Sequence, residues 1–366
     1  MKIAVIKETR YAENRVALTP QVAQQLIKVG HTIYVEAGSG YASNFSDEAY
    51  EKSECIIANK VTVLQQADIL VKVNAPDESE INLLKEGTVL ISYLYASFNS
   101  DLVQQLNAKK ISAFAMDAIP RISRAQNMDA LSSQANLAGY KAVILGAAQL
   151  GKIFPLLMTA AGTLTPSRVL IYGAGVAGLQ AIATAKRLGA IVEVSDVRPE
   201  TKEQVESLGA KFIEVKSDEA AKVEGGYAKE VSAAYLEKQK EAVNKSLFQA
   251  DLVITTALVM GKKAPTLITE DQVKEMKLGA VIVDMAVEQG GNCELSEYDK
   301  IITKHGVQII GPANLAATLP QNASELYAKN IQNLLNHLAS KESFKWEFEE
   351  EITQGTLICH EGKILR

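Results

Sequence analysis

The sequence has 366 residues, of which 47% are hydrophobic and 22% charged, a composition typical of a globular protein with a full core. At roughly 100–200 residues per domain, this length predicts two domains or three. The net charge of −5 argues against a nucleic-acid-binding surface, and three widely spaced cysteines indicate a reducing compartment rather than a disulfide framework or a CxxC metal site.

The first third of the chain alternates short apolar runs with helical patterns. Thr19 and Pro20 predict the start of a helix, as N-cap and first-turn residue, and Gly30 predicts its end. The predicted strands are Ile3–Ile6, Thr32–Val35, Asp68–Val73, Thr88–Ser92 and Ser112–Ala115. This alternation is typical of a parallel sheet with helices on both faces.

A second alternation follows a mostly apolar stretch. Asn136–Met158 predicts a connecting helix that bends or ends near Pro155. The further predicted strands are Arg168–Tyr172, Ile191–Ser195, Asp251–Thr255, Ala280–Asp284 and Gln308–Ile310, with a helix over Leu179–Leu188. The tail predicts a helix over Ser324–Leu338 and then a hairpin formed by Thr356–Cys359 and Lys363–Leu365.

The order of these elements predicts an α/β fold with two Rossmann-like domains, each built on a parallel sheet. We expect residues 1–135 and 314–366 to form the first domain, with the C-terminal helix folding back onto it. Residues 136–313 form the second domain, which is inserted in the first. The polar stretch Asp218–Lys240 is long for a loop inside a domain, and such loops are usually functional or disordered.

Neither a signal peptide nor a membrane span is expected. The N-terminal segment MKIAVIKETR predicts a strand and has no apolar signal-peptide region. No apolar run reaches the ~18 residues that a membrane helix needs, and the richest one, Ile153–Ala161, contains Pro155. We therefore expect a cytoplasmic chain that does not insert directly into a membrane.

The segment VLIYGAGVAGLQAIATAKRLGAIVEVSD carries the pattern G-x-G-x-x-G at Gly173, Gly175 and Gly178. An apolar strand precedes it, an alanine-rich helix follows, and the next strand ends at Asp196, which is the context of a dinucleotide-binding unit. Gly173 permits the tight turn, Gly175 lets the backbone approach a pyrophosphate at the helix N-terminus, and Gly178 lets helix and strand pack closely. The alternative is a glycine-rich turn that binds nothing.

Asp196 stands where an acidic residue accepts hydrogen bonds from the adenosine ribose. Its carboxylate would repel a 2′-phosphate, so NAD is favoured over NADP, and the nearby Arg198 weakens that preference. We count Val197 among the cofactor-binding candidates too. Thr256 and Leu258 follow a later strand and are candidates for the cofactor wall, because the carboxyl ends of parallel strands line the ligand crevice. An ordinary strand-to-loop transition remains the alternative for these last two residues.

Residues 120–129 form a polar cluster, PRISRAQNMD, between a predicted strand and the connecting helix. Ligand sites collect at domain junctions, so this segment is a candidate binding loop. Arg121 is suited to a pyrophosphate or an acidic side chain, and Gln126 to the carboxamide of a nicotinamide; Ser123 and Arg124 are further cofactor-binding candidates. The alternative is a solvated loop with a local Arg–Asp pair.

Several segments together resemble one family. RISRAQNMDALSSQANLAGY, VLIYGAGVAGLQAIATAKRLGA, EGGYAKE and DMAVEQGGNCELSE are similar to proton-translocating NAD(P) transhydrogenase, in its NAD(H)-binding component, the first domain of the alpha subunit. The resemblance runs over nearly the whole chain. The segment beginning at Arg121 is a far more specific match than the glycines.

This resemblance implies a homodimer that binds NADH and passes a hydride directly to NADP⁺ on a separate component, while a membrane-spanning component couples the transfer to proton movement. The chain would be peripheral to the inner membrane through these subunits, in the split-gene form. The resemblance implies that the nicotinamide end is held by Arg121, Gln126, Asp129 and Ser132. It also implies NAD binding by Val176 with the three glycines and Asp196, and a mobile loop at 225–228 that includes Gly226 and Tyr227. Direct transfer between two nicotinamide rings needs positioning rather than an acid, base or nucleophile.

Two other functions stay open on the sequence. Alanine dehydrogenase is similar over Lys7–Pro20, but its pattern places a lysine and a histidine where this sequence has Asn74 and Tyr95. Arg15, which would bind a substrate carboxylate, remains, whereas Lys72 lies roughly 6–7 Å back along its strand from position 74. A non-catalytic NAD-binding regulator would keep the glycines without needing the polar loop.

Overall fold

The computed structural model describes residues 1–214, 233–258, 263–340 and 343–366. The chain forms two compact units, Met1–Ala135 with Ala316–Arg366, and Asn136–Leu315. The chain returns to the first unit after Leu315, slightly beyond the predicted boundary between residues 313 and 314. Gly226 and Tyr227, which the resemblance assigns to a mobile loop, lie outside the described residues.

The two units alternate strands and helices along the chain. The strands are β1 (Lys2–Val5), β2 (Thr32–Glu36), β3 (Ile56–Ala58), β4 (Ile69–Val71), β5 (Val89–Ser92), β6 (Ser112–Ala115), β7 (Leu157–Thr159), β8 (Gly162–Leu164), β9 (Arg168–Tyr172), β10 (Ile191–Ser195), β11 (Lys211–Phe212), β12 (Leu252–Thr255), β13 (Val281–Asp284), β14 (Lys300–Lys304), β15 (Val307–Gly311), β16 (Leu357–His360) and β17 (Lys363–Ile364). The helices are α1 (Pro20–Lys28), α2 (Asp47–Lys52), α3 (Lys60–Gln66), α4 (Glu78–Leu83), α5 (Ser100–Ala108), α6 (Ala130–Gln149), α7 (Val176–Arg187), α8 (Lys202–Ser207), α9 (Ala233–Gln249), α10 (Glu270–Lys274), α11 (Pro320–Leu338) and α12 (Glu351–Thr356).

The first unit is built on an eight-stranded sheet in the order β17-β16-β6-β5-β4-β1-β2-β3. Its first six strands are parallel, and β16 joins β6 antiparallel. Ile3 and Val5 enter one apolar cluster, whereas Ala4 between them enters the other, because successive side chains of a strand point to opposite faces. Both faces are therefore covered, as the buried apolar strands predicted.

The second unit has a seven-stranded sheet in the order β11-β10-β9-β12-β13-β15-β14. Read by position in the chain, the parallel strands follow the doubly wound order 3-2-1-4-5-6, and β14 adds an antiparallel edge. The direction of winding reverses between β9 and β12. Open α/β sheets place their ligand crevice at such a point, beyond the carboxyl ends of the strands. The predicted α/β fold with two Rossmann-like domains is confirmed, with antiparallel strands at one edge of each sheet.

The predicted connecting helix is wrong in its extent. Helix α6 begins at Ala130 and ends at Gln149, and the residues after it form the exposed antiparallel hairpin β7–β8. The helix starts early because Asp129 accepts a hydrogen bond from the Ser132 N–H at 2.9 Å, as an N-cap does. It ends before Pro155, since a proline cannot continue the helical hydrogen bonds. Apolar composition alone did not separate this helix from the hairpin.

Three further strands lack a strong sequence pattern. The edge strand β14 is largely exposed, β3 has only three residues, and β11 has only two, Lys211 and Phe212. Strands β3 and β11 are too short to show an apolar alternation, and β14 has exposed residues on both faces, so none of them carries the pattern on which strand prediction depends.

The C-terminal helix α11 belongs to the first unit. Its apolar residues Tyr327, Ile331 and Leu334 enter the same cluster as Ile3 and Val5. The Tyr327 hydroxyl donates to the Lys72 carbonyl oxygen at 2.8 Å, so the phenol of this fully buried ring is hydrogen bonded within the core.

Candidate functional site

The glycine-rich turn (Gly173–Gly178) links strand β9 to helix α7, and each of its three motif glycines has a different environment. Gly173 has a φ of +100°, which favours glycine, and a Cβ there would lie 2.4 Å from Thr256 Oγ1. A Cβ on Gly178 would lie 1.9 Å from the Gly173 carbonyl oxygen. At Gly175 nothing lies within 4 Å of the Cβ position, so this backbone faces open space.

These three environments match the roles that the sequence predicted. Gly173 and Gly178 are required by packing inside the protein. Gly175 is not, since its φ of −78° suits any residue and no neighbour crowds it. A glycine that the protein itself does not need is accounted for by a ligand that approaches the backbone closely. The turn therefore has the form that a dinucleotide pyrophosphate requires.

Helix α7 presents its N-terminus beside this open space. Gly175 is the N-cap, so no side-chain oxygen caps the first turn. Val176, the first helical residue, is 41% exposed. The free N–H groups and the positive end of the helix dipole favour an anion at this position.

Asp196 lies at the end of the neighbouring strand β10 and contacts the glycine-rich turn directly. Its Oδ2 accepts a hydrogen bond from the Ala174 N–H at 2.6 Å. Arg198 donates to the same carboxylate from Nε at 3.1 Å and from its terminal nitrogen at 3.0 Å. Burial alone would raise the pKa of Asp196, but the hydrogen bonds from Arg198 and Ala174 lower it below the ordinary value. The carboxylate is thus charged and oriented towards the turn.

Thr256 follows strand β12 and packs on the glycine-rich turn where the winding of the sheet reverses. Its N–H and its hydroxyl both donate to the Tyr172 carbonyl oxygen at 2.9 Å. The structure therefore brings Thr256 together with the three glycines and Asp196. Leu258 and Val197, which were predicted alongside them, are 52% and 92% exposed and lie at the surface of the same unit.

The predicted polar loop lies in the first unit, as a 3-10 helix over Ser123–Met128. Ala125 and Met128 are buried and anchor it, and the Asn127 carbonyl oxygen accepts hydrogen bonds from two asparagine side chains of helix α11 at 2.8 and 2.9 Å. The exposed residues of this loop are Arg121, Ser123, Arg124, Gln126 and Asn127. The loop is therefore held by its apolar residues and its backbone, which leaves most of its polar side chains available for a ligand.

Three residues of this segment have partners within the first unit. Ser132 donates its hydroxyl to Asp129 Oδ2 at 2.6 Å, so this pair is already oriented at the start of α6. Arg124 contacts Glu350 Oε1 at 2.7 Å, an ion pair that the sequence did not indicate.

The parallel strands of the first unit have the same doubly wound order, and the direction of winding reverses between β4 and β1. Charged side chains lie just after these two strands. Lys72 is buried, with Nζ 2.8 Å from Glu80 Oε2 and 3.9 Å from Glu8 Oε2. Glu8 also accepts from the Val73 N–H at 2.7 Å and from Asn74. Burial raises the pKa of Glu8, against the opposing charge of Lys72.

Arg15 lies near these residues and is also paired within the protein. Its Nε and one terminal nitrogen donate to the two oxygens of Glu13 at 2.7 Å, and its other terminal nitrogen donates to Gln134 at 2.9 Å. Both side chains of the Arg15–Glu13 pair are almost completely buried. Bidentate pairing of this kind satisfies the guanidinium without an external carboxylate.

Two residues that the sequence prediction did not select also lie at the carboxyl edge of the second sheet. Asp284 ends strand β13, and Asn292 follows it; both are completely buried and hydrogen bonded. An aspartate at the carboxyl end of a buried strand was a signal that could have identified the first of them. No helix among residues 1–214, 233–258, 263–340 and 343–366 is long and apolar enough to span a membrane.

The chain is similar to known proteins over nearly its whole length. Two family models match: alanine dehydrogenase/PNT, N-terminal domain, over residues 4–138, and alanine dehydrogenase/PNT, C-terminal domain, over residues 142–366. The chain is 50% identical to an NAD(P) transhydrogenase subunit alpha chain of Rhodospirillum rubrum, with 100% of this chain and 98% of that protein covered.

Solved structures show the same relationship. The crystal structure of transhydrogenase from Sinorhizobium meliloti superposes with a TM-score of 0.91 at 40% identity, with 100% of both chains covered. An L-alanine dehydrogenase superposes with a TM-score of 0.83 at 25% identity, covering 100% of this chain and 97% of the other.

Proposed function

The chain belongs to the alanine dehydrogenase/PNT family, and we propose that it is the NAD(H)-binding component of an NAD(P) transhydrogenase. The observation that carries this function is the glycine-rich turn, in which Gly175 faces open space while its two companions are packed. Together with Asp196 and the N-terminus of α7, it fits a dinucleotide. The protein is an oxidoreductase, and its bound NADH supplies the hydride that reduces NADP⁺ on a separate component.

The glycine-rich turn and the residues near it in the second unit bind and orient the adenosine end of NADH. The N–H groups at the start of α7 receive the pyrophosphate where Gly175 leaves room. Asp196 receives the ribose hydroxyls, and its negative charge opposes a 2′-phosphate, which favours NAD over NADP. Arg198 pairs with the same carboxylate and weakens this preference. Thr256 and Val176 border the same space, with Val197, Arg198 and Leu258 around them.

In the first unit the polar loop acts on the nicotinamide end. We assign this role to Arg121, Gln126, Asp129 and Ser132, with Ser123 and Arg124 beside them. The support is the similarity of this loop to the family's, together with its anchored backbone and exposed polar side chains. The loop has to position the nicotinamide ring and need not supply an acid or a base, because direct hydride transfer moves no proton at the reacting carbon.

The charged residues of the first unit favour this function over alanine dehydrogenation. An amino-acid dehydrogenase needs a free cation for the substrate carboxylate and groups that move protons during imine chemistry. Here Arg15 is neutralised by Glu13, and Lys72 is paired with Glu80 in the core. Asn74 has no ionisable group to take the place of the missing lysine.

The relatives' name, subunit alpha, implies partner subunits in a complex. We extend this to an NADP(H)-binding subunit and a membrane-spanning subunit that couples hydride transfer to proton translocation. This chain would then lie at the cytoplasmic face of the membrane, peripheral to it through those subunits.

We also propose that the chain is a homodimer. The hairpin β7–β8 exposes Leu157 and Leu164 by about half and Met158 by 75%, an apolar surface that a second copy of the chain would cover. Met158→Glu should shift the protein towards the monomer in analytical ultracentrifugation, whereas the exposed Val61→Glu, in the first unit, should not. An unchanged mass for Met158→Glu would place the dimer contact elsewhere or exclude it.

Hydride transfer from NADH to an NADP⁺ analogue with a separate absorbance band tests the function. The protein is assayed alone and mixed with a candidate NADP-binding component. We expect transfer only in the mixture and no alanine-dependent reduction of NAD⁺. Alanine-dependent reduction by the chain alone would identify a dehydrogenase, and NADH binding without transfer in a folded mixture would indicate a regulator.

A further inference from the structure

A buried hydrogen-bond network joins strand β13 to the glycine-rich turn of the second unit. It begins at Asp284, whose side chain is completely buried. Five donors reach its two oxygens at 2.6–3.0 Å: the hydroxyls of Thr255 and Ser296 and the backbone N–H groups of Ala286, Asn292 and Cys293. A carboxylate with this many donors fixes the chain around it, because each donor would otherwise be buried without a partner.

The segment that Asp284 fixes includes Asn292, whose side-chain amide is also fully used. Its Oδ1 accepts from the Ala257 N–H at 3.0 Å, and its Nδ2 donates to the Ala257 carbonyl oxygen at 2.9 Å. The same Nδ2 donates to the Pro265 carbonyl oxygen at 2.8 Å. The Asn292 amide therefore holds both backbone groups of Ala257 and the carbonyl oxygen of Pro265.

Ala257 directly follows Thr256, which is the contact to the glycine-rich turn. Thr256 donates twice to the Tyr172 carbonyl oxygen, and its Oγ1 lies 2.4 Å from the position of a Cβ on Gly173. The path from Asp284 to the turn thus consists of short hydrogen bonds and two backbone links, from Ala257 to Thr256 and from Tyr172 to Gly173. A shift of Ala257 would move Thr256 and with it the hydrogen bonds to Tyr172 and the contact to Gly173.

We propose that Asn292 is a positioning residue of the dinucleotide site and that Asp284 holds Asn292 in place. Asn292 keeps Thr256 and Leu258 at the wall of the crevice, so it sets the shape that the bound dinucleotide meets without touching the dinucleotide. This inference rests on the proposed function, because it assigns the residues to NADH binding.

The variant Asn292→Asp tests it with almost no change of shape. Its second oxygen replaces the Nδ2 donor and would face the carbonyl oxygens of Ala257 and Pro265, which repel it. We expect the Kd for NADH, measured from the fluorescence of bound NADH, to rise about tenfold, as the loss of a buried hydrogen-bond pair implies.

Asp251→Asn is the matched control. Asp251 is a buried carboxylate just before strand β12, at the opposite end of that strand from Thr256 and Ala257. It accepts hydrogen bonds from Lys152 and Lys277 at 2.9 and 2.8 Å. Loss of the Asp251 charge should lower the thermal midpoint of unfolding. The Kd for NADH should stay within about twofold of the wild-type value, because Asp251 lies away from the carboxyl edge of the sheet.

Equal Kd values for wild type and Asn292→Asp would overturn the proposal. So would weakening in both variants in proportion to their loss of stability, since that marks a general structural role. If Asn292→Asp does not fold, Ser296→Ala removes one donor to Asp284; it should weaken NADH binding about threefold, and no weakening counts against the network. If wild type binds NADH but transfers no hydride in a folded mixture with the NADP-binding component, the proposed function is refuted and the Kd comparison remains valid.

Discussion

Gly175→Ala separates the binding role of the glycine-rich turn from its packing role. In the folded protein the added methyl group meets no heavy atom within 4 Å, and the φ of −78° suits alanine. Alanine is a poorer N-cap than glycine but restricts the unfolded chain, and these opposing effects leave the free energy of unfolding within about 1 kcal/mol of wild type. The variant should therefore fold normally.

NADH binding should respond very differently. The methyl group would occupy the space through which a pyrophosphate reaches the N–H groups at the start of α7. Loss of one hydrogen bond to a charged group is worth about 1.5–3 kcal/mol, which corresponds to a Kd raised roughly 10–150-fold. Titration of NADH by fluorescence measures the Kd, and thermal unfolding measures the stability.

Two other glycines complete the experiment. Gly151→Ala adds a methyl group in the same unit with nothing within 4 Å, so it should leave the Kd for NADH unchanged and the free energy of unfolding within about 1 kcal/mol of wild type. Gly178→Ala places a methyl group 1.9 Å from the Gly173 carbonyl oxygen and should destabilise the fold itself. If Gly175→Ala binds NADH within twofold of wild type, the pyrophosphate does not lie at this turn and the reasoning is refuted.

Three further predictions concern selectivity, positioning and pH. Asp196→Ala should lower the preference for NAD over NADP by about tenfold, measured as a ratio of Kd values, because the charge that opposes a 2′-phosphate is lost; an unchanged ratio removes Asp196 from the ribose site. Gln126→Ala should slow hydride transfer about 10–100-fold with a Kd for NADH within about threefold of wild type, and equal losses in both would contradict a positioning role. Burial would raise the pKa of Glu350, but hydrogen bonds, first from His337, lower it to about 2 from an ordinary value of 4.5. The stability that Glu350 contributes through its ionised form is therefore lost as the pH falls from about 4.5 through about 2. The gap in thermal midpoint between wild type and Glu350→Gln should close over this range, and a gap that does not change there would show that ionisation of Glu350 plays no part.

The two units show how one strand order supports different chemistry. Each has a doubly wound sheet whose winding reverses beyond the carboxyl ends of two central strands. In the second unit this point carries glycines and leaves space for a ligand. In the first unit it carries buried charges that pair with one another, such as Lys72 with Glu80 and Arg15 with Glu13. Fold alone therefore does not assign function, and the side chains at the crevice do.

The α/β class, most strands of both sheets and the glycine-rich turn could be predicted from the amino-acid sequence. Buried parallel strands are apolar throughout, and the turn needs glycine at fixed spacing, so both leave a local pattern in the chain. The loop beginning at Arg121 was identified by its resemblance to a family, since spacing alone left a solvated loop as an equal alternative.

The partners of the polar residues, in contrast, depend on the tertiary structure. The contacts of Asp196 with Ala174, Arg124 with Glu350, and Asn292 with Ala257 join residues that are far apart in the chain, so no local pattern predicts them. The ends of α6 and the hairpin after it were likewise settled by capping and exposure rather than by apolar composition. The physical reason is that periodicity records which face of an element is buried, whereas hydrogen-bond partners depend on where the fold brings distant segments together.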